Sequence, residues 1–257
     1  MSSPWNPAQY ERFANERTRP FLDLLAMITP IPGGRVVDLG CGTGELTRLL
    51  HERTGAAETV GVDSSETMLA NSAEFAGGGL SFELADIATY RPPAQFDLVF
   101  SNAALQWVPG HASLIPALAR LVRAGGQFAF QVPANDGHTS HLTARDVAAE
   151  EPFRSALGGY ERSWPVMPPE WYAEQLDALG FTSLNVRLQV YGHHLPSPAD
   201  VVEWVKGTYL TAYARRMPSH LYEQYLVRYR QVLLDRLGEH RPYFYAYRRI
   251  LVHAFRA

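Results

Sequence analysis

Apolar and amphipathic stretches alternate along the first half of the chain. Apolar runs rich in β-branched residues predict strands at 35–39, 59–63, 80–85, 96–101 and 127–132. Between them, apolar positions three and four residues apart predict helices at 45–53, 65–75 and 113–122. Repeated strand–helix units of this kind predict a doubly wound α/β fold, with parallel strands and helices on both faces of the sheet.

The rest of the chain follows the same two periodicities. Helices are expected around 10–17, at 21–28 and at 170–179, and helical potential is visible at 142–150. Residues 123–126 are predicted as a turn because they include Gly125-Gly126. A sixth strand is expected at 184–191 and a last one at 248–255, and the segment between them has apolar and aromatic residues at helical spacing.

No internal repeat or low-complexity linker is visible in the sequence. We therefore expect a single domain with five parts in chain order. These are N-terminal lid helices in 1–30, a cofactor-binding core in 31–132, a region between the fifth and sixth strands in 133–194, a helical cap over the open end of the sheet in 195–247, and the last strand in 248–257.

A glycine-rich motif follows the first predicted strand and reads Asp38-Leu39-Gly40-Cys41-Gly42-Thr43-Gly44. Its glycines permit a tight turn and a close ligand, which then meets the free N–H groups and positive dipole end of the next helix. The spacing is G-x-G-x-G, whereas dinucleotide-binding loops have G-x-G-x-x-G. Asp38 would repel a pyrophosphate but attract an ammonium group. S-adenosylmethionine carries an ammonium and no phosphate, so the motif favours it over a nicotinamide dinucleotide.

Polar residues stand at the ends of four successive predicted strands, namely Asp38, Asp63, Asp86 and Asn102. Ligands of open α/β sheets bind beyond the carboxyl ends of the strands, so these side chains are expected to meet one ligand. Asp63 lies 19 residues after Gly44, where a ribose-binding acid is expected. The other interpretation of Asp63 is a helix cap ahead of Ser64 and Ser65.

The chain resembles the trans-aconitate methyltransferases, a small-molecule branch of the class I S-adenosylmethionine-dependent methyltransferases. Besides the glycine motif, the resemblance rests on Trp5-Asn6-Pro7 with Tyr10 and Arg17, Gly61-Val62-Asp63-Ser64-Ser65 with Met68-Leu69, Ala85-Asp86-Ile87, and Ser101-Asn102-Ala103-Ala104-Leu105-Gln106-Trp107. It implies a seven-stranded, mostly parallel Rossmann-like sheet with the helical cap inserted before the last strand. It also implies methyl esterification of a carboxylate on a small polycarboxylic acid, with trans-aconitate as the expected acceptor.

Site residues are predicted from the resemblance together with the strand-end positions. The expected cofactor contacts are Asp38, Gly40, Cys41, Gly42, Gly44, Asp63, Ser64, Met68, Asp86, Ile87, Asn102 and Ala103. The candidate contacts of the acid are Tyr10, Arg17, Gln106, Trp107, His138, Tyr209 and Arg216. Each of the latter also has an ordinary structural interpretation, such as a packed aromatic ring or a solvated loop side chain.

The expected reaction needs no catalytic acid or base. A carboxylate is already ionised at pH 7, since its reference pKa is near 4, so alignment with the methyl group supplies the catalysis. Arginine suits the remaining carboxylates because its planar guanidinium pairs with them bidentately. No metal is expected, because the sequence has a single cysteine and no metal-ligand spacing.

Composition excludes several classes of protein. With 257 residues, 46% of them apolar and 19% charged, the chain is expected to be globular. It has no apolar run of about 20 residues and no signal-peptide pattern, which predicts a cytoplasmic protein away from membranes. We expect a monomer or weak homo-oligomer. Cys41 is expected to be a small filler of the glycine turn rather than a nucleophile.

Charge is unevenly distributed along the sequence. The net charge of −3 argues against nucleic acid as a partner. Residues 1–180 have 12 basic and 21 acidic side chains, whereas residues 181–257 have 11 basic and 5 acidic ones. The basic C-terminal part predicts a small anionic substrate held under the cap, and a solvated basic face explains it equally well.

Three alternatives remain open from the sequence. The chain could methylate another small acid or an acyl-carrier-bound carboxylate, or it could bind S-adenosylmethionine without turnover. A nicotinamide-dependent dehydrogenase is disfavoured by the glycine spacing and by Asp38.

Overall fold

The computed structural model describes residues 14–257, with side chains from residue 18 onwards. The strands are β1 Arg35–Leu39, β2 Glu58–Asp63, β3 Leu80–Leu84, β4 Phe96–Asn102, β5 Val122–Pro133, β6 Phe181–Leu195 and β7 Tyr243–Arg256. They form a seven-stranded sheet in the order β3-β2-β1-β4-β5-β7-β6. The pairs β1–β2, β2–β3, β1–β4 and β4–β5 are parallel, and β7 is antiparallel to β5. The predicted Rossmann-like sheet is confirmed.

The helices of the described chain are α1 Ala14–Leu25, α2 Glu45–Thr54, α3 Glu66–Leu69, α4 His111–Ala119, α5 Thr139–Ala148, α6 Phe153–Ala156, α7 Pro169–Ala178, α8 Ala199–Lys206, α9 Thr211–Ala214 and α10 Ser219–Leu237. Single 3-10 turns lie at Ser72–Phe75 and Leu105–Trp107. The helix expected at 21–28 is α1, which begins and ends earlier than predicted. Residues 1–13 of the expected lid segment 1–30, Tyr10 included, lie outside the described residues, as does the side chain of Arg17.

The chain divides into two compact units. The larger unit consists of Thr18–Pro133, Pro165–Gln189 and Arg249–Ala257, and the described part of the smaller unit includes Ala134–Trp164 and Val190–Arg248. The predicted cap helices α8, α9 and α10 belong to the smaller unit. The expectations of a single domain and of a cap over the sheet stay predictions.

The core of the larger unit is built on its central strands. Val36, Val37 and Leu39 of β1 are fully buried, and so are Leu98 and Phe100 of the neighbouring β4. A central parallel strand is covered on both faces, which explains why these segments read as continuous apolar runs rather than as alternating ones.

The smaller unit has a core dominated by aromatic side chains. Its fully or almost fully buried rings include Phe153, Trp204, Tyr209, Tyr213, Tyr225, Tyr229, Tyr245 and Tyr247. The hydroxyl of Tyr225 donates to the Ala144 carbonyl at 2.9 Å, and that of Tyr229 donates to the Ser140 carbonyl at 3.1 Å. Because these carbonyls belong to α5, the two bonds fasten α10 to it while satisfying buried hydroxyls.

The single helix predicted at 65–75 is wrong. The structure has α3 and then a separate 3-10 turn at Ser72–Phe75. Ser65 caps α3, since its side chain accepts from the Met68 N–H. The Ser72 hydroxyl donates to the Leu69 carbonyl at 2.8 Å. Local side-chain bonds of this kind compete with the regular helix ladder, which is why the helix stops here.

The boundaries of β5 also differ from prediction. The expected turn at 123–126 lies inside β5, where the register shifts between the pairs Phe96–Val122 and Leu98–Gln127. The extra residues are absorbed as an irregularity of the strand. Consequently α4 ends at Ala119, before the predicted end at 122.

The last strand begins at Tyr243 rather than at 248. The aromatic residues before 248 alternate with period two, and the buried ones face the core of the smaller unit, as Tyr245 does. Short apolar runs fit both periodicities, so the sequence alone predicts these residues as part of the helical segment. The sixth strand is likewise longer than expected, at Phe181–Leu195.

Candidate functional site

The polar strand ends come together at one edge of the parallel sheet. Asp38 pairs in register with Gly61 of β2 and Phe100 of β4, so β1 lies between those two strands. Asp63 and Asn102 are the last residues of β2 and β4. Asp86 follows the end of β3. In open α/β sheets this edge is where ligands bind.

The glycine turn packs directly against the segment that follows β4. Gly40 has a φ of +83°, and a Cβ added there would lie 2.1 Å from the Cβ of Ala104. Gly44 has a φ of +88°, and a Cβ there would lie 2.6 Å from the ring of Phe82. Both positions therefore require glycine for its backbone conformation and for space.

The N–H groups of the turn are largely used within the protein. Those of Gly40 and Cys41 donate to the Val62 carbonyl at 2.7 and 3.1 Å, and that of Gly42 donates to Asp63 Oδ2 at 2.9 Å. These three residues precede α2, so the expectation that a ligand meets the free N–H groups of that helix stays a prediction. A phosphate would find carboxylates here instead of donors, which disfavours a dinucleotide.

Asp63 connects the turn with the start of α3. Its Oδ2 accepts from Gly42, and its Oδ1 accepts from the Ser65 N–H at 2.9 Å. The helix cap is Ser65, so the interpretation of Asp63 as a cap is wrong. Each oxygen of a carboxylate has two lone pairs, so the oriented side chain can accept further bonds from ribose hydroxyls.

Asp38 is a buried carboxylate in which one oxygen has no hydrogen-bond partner in the described chain. It is 3% exposed, and its Oδ2 accepts from the Thr47 hydroxyl at 2.6 Å. Its Oδ1 is buried without a hydrogen-bond partner in the described chain. The pKa of Asp38 is raised to about 7, because burial and, to a smaller extent, the charge of Asp63 outweigh the Thr47 hydrogen bond, which lowers it. An ammonium group would satisfy the oxygen and stabilise its charge, so these residues fit S-adenosylmethionine.

Cys41 lies inside the turn as a buried thiol. Burial raises its pKa above the ordinary value, and the charges of Asp38 and Asp63 raise it further. A neutral thiol is a poor nucleophile. This environment agrees with the prediction that Cys41 is a filler.

Apolar side chains close around the glycines. The Met68 Cε lies 3.1 Å from where a Cβ of Gly42 would be, and Ile87 Cδ1 lies 3.6 Å from the corresponding position of Gly40. Met68 and Ile87 are thus brought to the turn, as the sequence predicts. Both could cover the flat face of a ligand.

Ser64 and Asp86 lie at the exposed rim of this edge. Asp86 Oδ1 accepts from the Ala88 N–H at 2.8 Å. This local bond orients the carboxylate and leaves its other oxygen available to accept from an amino group.

Asn102 begins a hydrogen-bond chain that sequence reasoning missed. Its Oδ1 accepts from Gln131 Nε2 at 2.7 Å, and Gln131 Oε1 accepts from Arg249 Nη1 at 3.1 Å. The next residue, Ala103, has a φ of +52°, which is uncommon outside glycine. Its N–H donates to the Gln131 carbonyl at 3.0 Å, so Gln131 holds both residues.

Gln106 presents an acceptor rather than a donor. Its Nε2 donates to the Ala103 carbonyl at 2.5 Å, while its buried Oε1 has no partner in the described chain. A carboxylate would be repelled by that oxygen. Gln106 therefore suits a donor group, which changes its predicted role as a contact of the acid. Trp107 is 53% exposed.

In the smaller unit, Tyr209 belongs to a group of rings and cations that we call the aromatic–cationic cluster: His141, Arg145, Arg162, Trp164 and Tyr209. The Arg162 guanidinium carbon lies 4.3 Å from the centroid of the Tyr209 ring, and the His141 ring lies 4.2 Å from it. The Tyr209 hydroxyl and Trp164 Nε1 are buried without a hydrogen-bond partner of standard geometry. Burial raises the pKa of Tyr209, the charge of Asp136 raises it further, and nearby Arg145 lowers it.

The comparisons with known proteins agree with this geometry. Residues 36–126 match the family model of a methyltransferase domain. A trans-aconitate 2-methyltransferase from Variovorax paradoxus is 43% identical over 227 residues, which are 88% of this chain and 87% of that protein. One from Deinococcus radiodurans is 41% identical over 258 residues, covering 98% of both chains.

The chain belongs to the trans-aconitate 2-methyltransferase family.

The fold of this family member also recurs among solved structures. The YcgJ protein from Bacillus subtilis superimposes with a TM-score of 0.59 at 14% identity, covering 93% of this chain and 98% of that chain. At this identity the likeness concerns the fold alone. It agrees with the class I methyltransferase architecture expected from the sequence.

Two further predicted contacts of the acid lie in the smaller unit of this family member. His138 caps α5, because its Nδ1 accepts from the Ser140 N–H at 3.1 Å. Burial, together with the charge of Arg248, lowers its pKa to about 4, so the ring is neutral at pH 7. Arg216 is exposed, and its guanidinium carbon lies 3.8 Å from the centroid of the Tyr160 ring.

The smaller unit is less basic than the C-terminal sequence suggested. Its segments Ala134–Trp164 and Val190–Arg248 contain 11 basic and 10 acidic side chains. Part of the positive charge is paired, as Arg228 is with Glu150 and Arg236 with Asp146. The cations that matter for an anion are therefore local ones, and Arg145 itself pairs with Asp136 at 2.6 Å.

Within residues 14–257, no group of three or more histidine, cysteine, aspartate or glutamate side chains could hold a metal ion. None of the helices there combines the length and apolar character needed to cross a bilayer.

Proposed function

We propose that this family member transfers the methyl group of S-adenosylmethionine to a carboxylate oxygen of a small polycarboxylic acid, with trans-aconitate as the preferred acceptor. The observation that carries the proposal is the buried Asp38 carboxylate, whose Oδ1 has no partner in the described chain. It lies at the ligand edge of the sheet, beside a glycine turn in which the N–H groups of Gly40, Cys41 and Gly42 already form hydrogen bonds within the protein. Such an edge favours a cationic amino-acid group over a phosphate.

The cofactor would be held by side chains of the larger unit. Asp38 would receive its ammonium group, Asp63 its ribose hydroxyls and Asp86 the amino group of its adenine. Gly40 and Gly42 would allow its close approach, and Met68 would cover it. When bound, S-adenosylmethionine supplies a methyl group on a positively charged sulfur, and transfer to a carboxylate requires no proton transfer.

The chain therefore has to bind and orient the acceptor rather than activate it. A carboxylate is ionised near neutral pH and needs no general base. The aromatic–cationic cluster supplies groups that suit a carboxylate, namely the guanidinium of Arg162, the hydroxyl of Tyr209 and the indole N–H of Trp164. We propose that these residues recognise the acid. Each of their polar atoms is a donor toward an anion.

His141 supports this role by staying neutral. Its pKa is lowered to about 3, mainly by burial and in addition by the charges of His138, Arg162 and Arg145. Burial is the main cause of the lowered pKa of His141, and the smaller contributions of Arg162 and Arg145 indicate a positive field that an anion would relieve. The field around Tyr209 is therefore suited to a negatively charged ligand.

The test is a screen of acceptors with methyl-labelled S-adenosylmethionine. Trans-aconitate, other tricarboxylic acids, dicarboxylic acids, a monocarboxylic acid and an acyl-carrier-bound acid are compared at equal concentration. We expect label in a tricarboxylic acid first. Preference for the carrier-bound acid would select that alternative, and cofactor binding with no labelled product would indicate a binding protein. Function without nucleic acid, as a monomer or weak homo-oligomer in the cytoplasm, stays a prediction.

A further inference from the structure

The chain of hydrogen bonds from Arg249 through Gln131 to Asn102 has a fixed direction from donor to acceptor, which we call its polarity. A guanidinium group has only donors, so Gln131 must accept from Arg249 through Oε1. The amide of Gln131 then has only Nε2 with which to reach Asn102. Asn102 must accept through Oδ1 in turn. The one charged residue at the end of the chain thus sets the orientation of both amides.

Burial makes this orientation costly to reverse. Gln131 is fully buried and Arg249 is 6% exposed. Turning the Gln131 amide would place its NH2 against the guanidinium and its oxygen against the Asn102 oxygen. Buried polar groups left facing like groups lose their hydrogen bonds without compensation from water.

This fixed direction determines which atoms Asn102, the last member of the hydrogen-bond chain, presents to a ligand. Because Oδ1 is turned toward Gln131, Asn102 presents its Nδ2 donors on the other side, and these bond to no group within the described residues. Asn102 is the last residue of β4, at the ligand edge, and is partly exposed. The following residue, Ala103, is held in its left-handed conformation by the Gln131 carbonyl, so the position of this amide is also fixed.

A second amide in the same segment has the opposite polarity. Gln106 is turned so that its Oε1 remains, because the Ala103 carbonyl can only accept. Asp38 Oδ1 is the other acceptor without a partner at this edge. One donor and two acceptors suit a group that carries both a carboxylate and an ammonium.

We propose that Gln131 and Arg249 are positioning residues that hold Asn102 as an obligatory hydrogen-bond donor to a carboxylate. The inference rests on the proposed function, which provides two carboxylates. One belongs to the amino-acid part of S-adenosylmethionine, and the other to the acceptor acid. The opposite polarity of Gln106 favours the cofactor, and the experiment separates the two.

The decisive variant is Gln131→Glu. One oxygen of the new carboxylate accepts from Arg249, and the other faces Asn102. Asn102 must then rotate to donate its Nδ2, which turns its Oδ1 toward the ligand. Gln131→Met removes the chain without reversing it. Gln127→Glu is the matched control, because Gln127 is also buried on β5 but bonds to Thr29 and His253, away from the site.

Binding is measured by titration calorimetry with S-adenosylmethionine and with decarboxylated S-adenosylmethionine, and KM is measured for the acid. Gln131→Glu should lower the affinity for S-adenosylmethionine at least tenfold, while the affinity for decarboxylated S-adenosylmethionine should change less than threefold. Gln131→Met should have a smaller effect, and Gln127→Glu none. If the acceptor supplies the carboxylate, KM for the acid rises tenfold instead and both cofactors bind normally.

Asn102→Asp provides a second route if Gln131→Glu does not fold. It keeps the acceptor for Gln131 on a partly exposed side chain and should discriminate against the carboxylate in the same way. Equal losses for both cofactors, or no change in any of the three constants, would overturn the inference. If the wild-type protein bound no S-adenosylmethionine at all, the proposed function would fail instead.

Discussion

The buried Asp38 carboxylate should make cofactor affinity depend on pH, and Asp38→Asn is the change that tests this. Asparagine has the same shape, and its Oδ1 can still accept from the Thr47 hydroxyl, which lies 2.6 Å from Asp38 Oδ2. What the variant loses is the charge. Any difference between the two proteins therefore reports on ionisation of this one group.

The magnitude follows from the pKa of Asp38, which burial raises from 3.8 to about 7. A shift of about three units corresponds to about 4 kcal/mol at 1.36 kcal/mol per unit. Because the pKa in the folded protein is above that in the unfolded chain, the unfolded chain ionises first as the pH rises. This contribution of Asp38 to the free energy of unfolding is fully present below pH 3.8 and is lost as the pH rises through about 7. Asp38→Asn should lack this loss and be the more stable protein at pH 8.

Cofactor binding should respond in the opposite direction. Only the ionised carboxylate attracts an ammonium, so the affinity for S-adenosylmethionine should rise roughly tenfold between pH 5.5 and 7. The ammonium itself stays protonated in this range, since an α-amino group has a pKa of about 7.7–8.0. Asp38→Asn should bind more weakly at pH 7, with an affinity that changes little over the same range.

Two measurements check this account of Asp38. Urea unfolding from pH 4 to 8 compares the stabilities, and titration calorimetry from pH 5.5 to 7 compares the affinities. Calorimetry in two buffers of different ionisation enthalpy should show proton release on binding to the wild-type protein alone. The reasoning is refuted if the variant binds as tightly as the wild type at pH 7, or if both show the same dependence on pH.

Four other outcomes are expected. Asp63→Ala should weaken S-adenosylmethionine by roughly 1.5–3 kcal/mol in calorimetry, the range for bonds to a charged group; unchanged binding would leave Asp63 a structural role alone. Tyr209→Phe should raise KM for a tricarboxylate several-fold more than for a monocarboxylate, whereas Arg216→Gln, at an exposed position, should do less; equal effects would contradict this. KM for the acid should climb with salt as the Debye length falls from about 10 Å at 0.1 M to about 3 Å at 1 M, and KM for the cofactor should change less. EDTA should not lower activity, and recovery with a divalent ion would show otherwise.

The ligand edge could be predicted because its signals are local. A strand, a glycine turn and a helix follow each other within residues 35–54 in the structure, nearly as expected. Asp63 and Asn102 were located by their positions at the ends of apolar runs. Parallel pairing then brings strand ends together without further information from the sequence.

The side chains that complete the site depend on distant contacts. Gln131 and Arg249 are 118 positions apart, and each looks like an ordinary residue of a strand. A buried arginine in a strand is unusual enough to attract attention, but its partner cannot be read from periodicity. Arg162 and Trp164 lie in a segment without regular structure, so no pattern connected them with Tyr209.

Charge was misleading for a related reason. The basic excess of residues 181–257 is a count along the chain, whereas the smaller unit also contains residues 134–164, with five acidic and three basic side chains. Arg228 and Arg236 pair with Glu150 and Asp146 of that segment. Local fields depend on which segments fold together, and a count along the sequence does not contain that information.

The central claim is that the methyl group reaches a carboxylate oxygen of a small polycarboxylic acid. Identification of the product tests it most directly, using trans-aconitate and S-adenosylmethionine with a carbon-13 methyl group. NMR should show one new O-methyl ester carbon on the acid, and mild alkali should release it as labelled methanol. A label on carbon or nitrogen, a label resistant to alkali, or faster methylation of a neutral acceptor would contradict the claim.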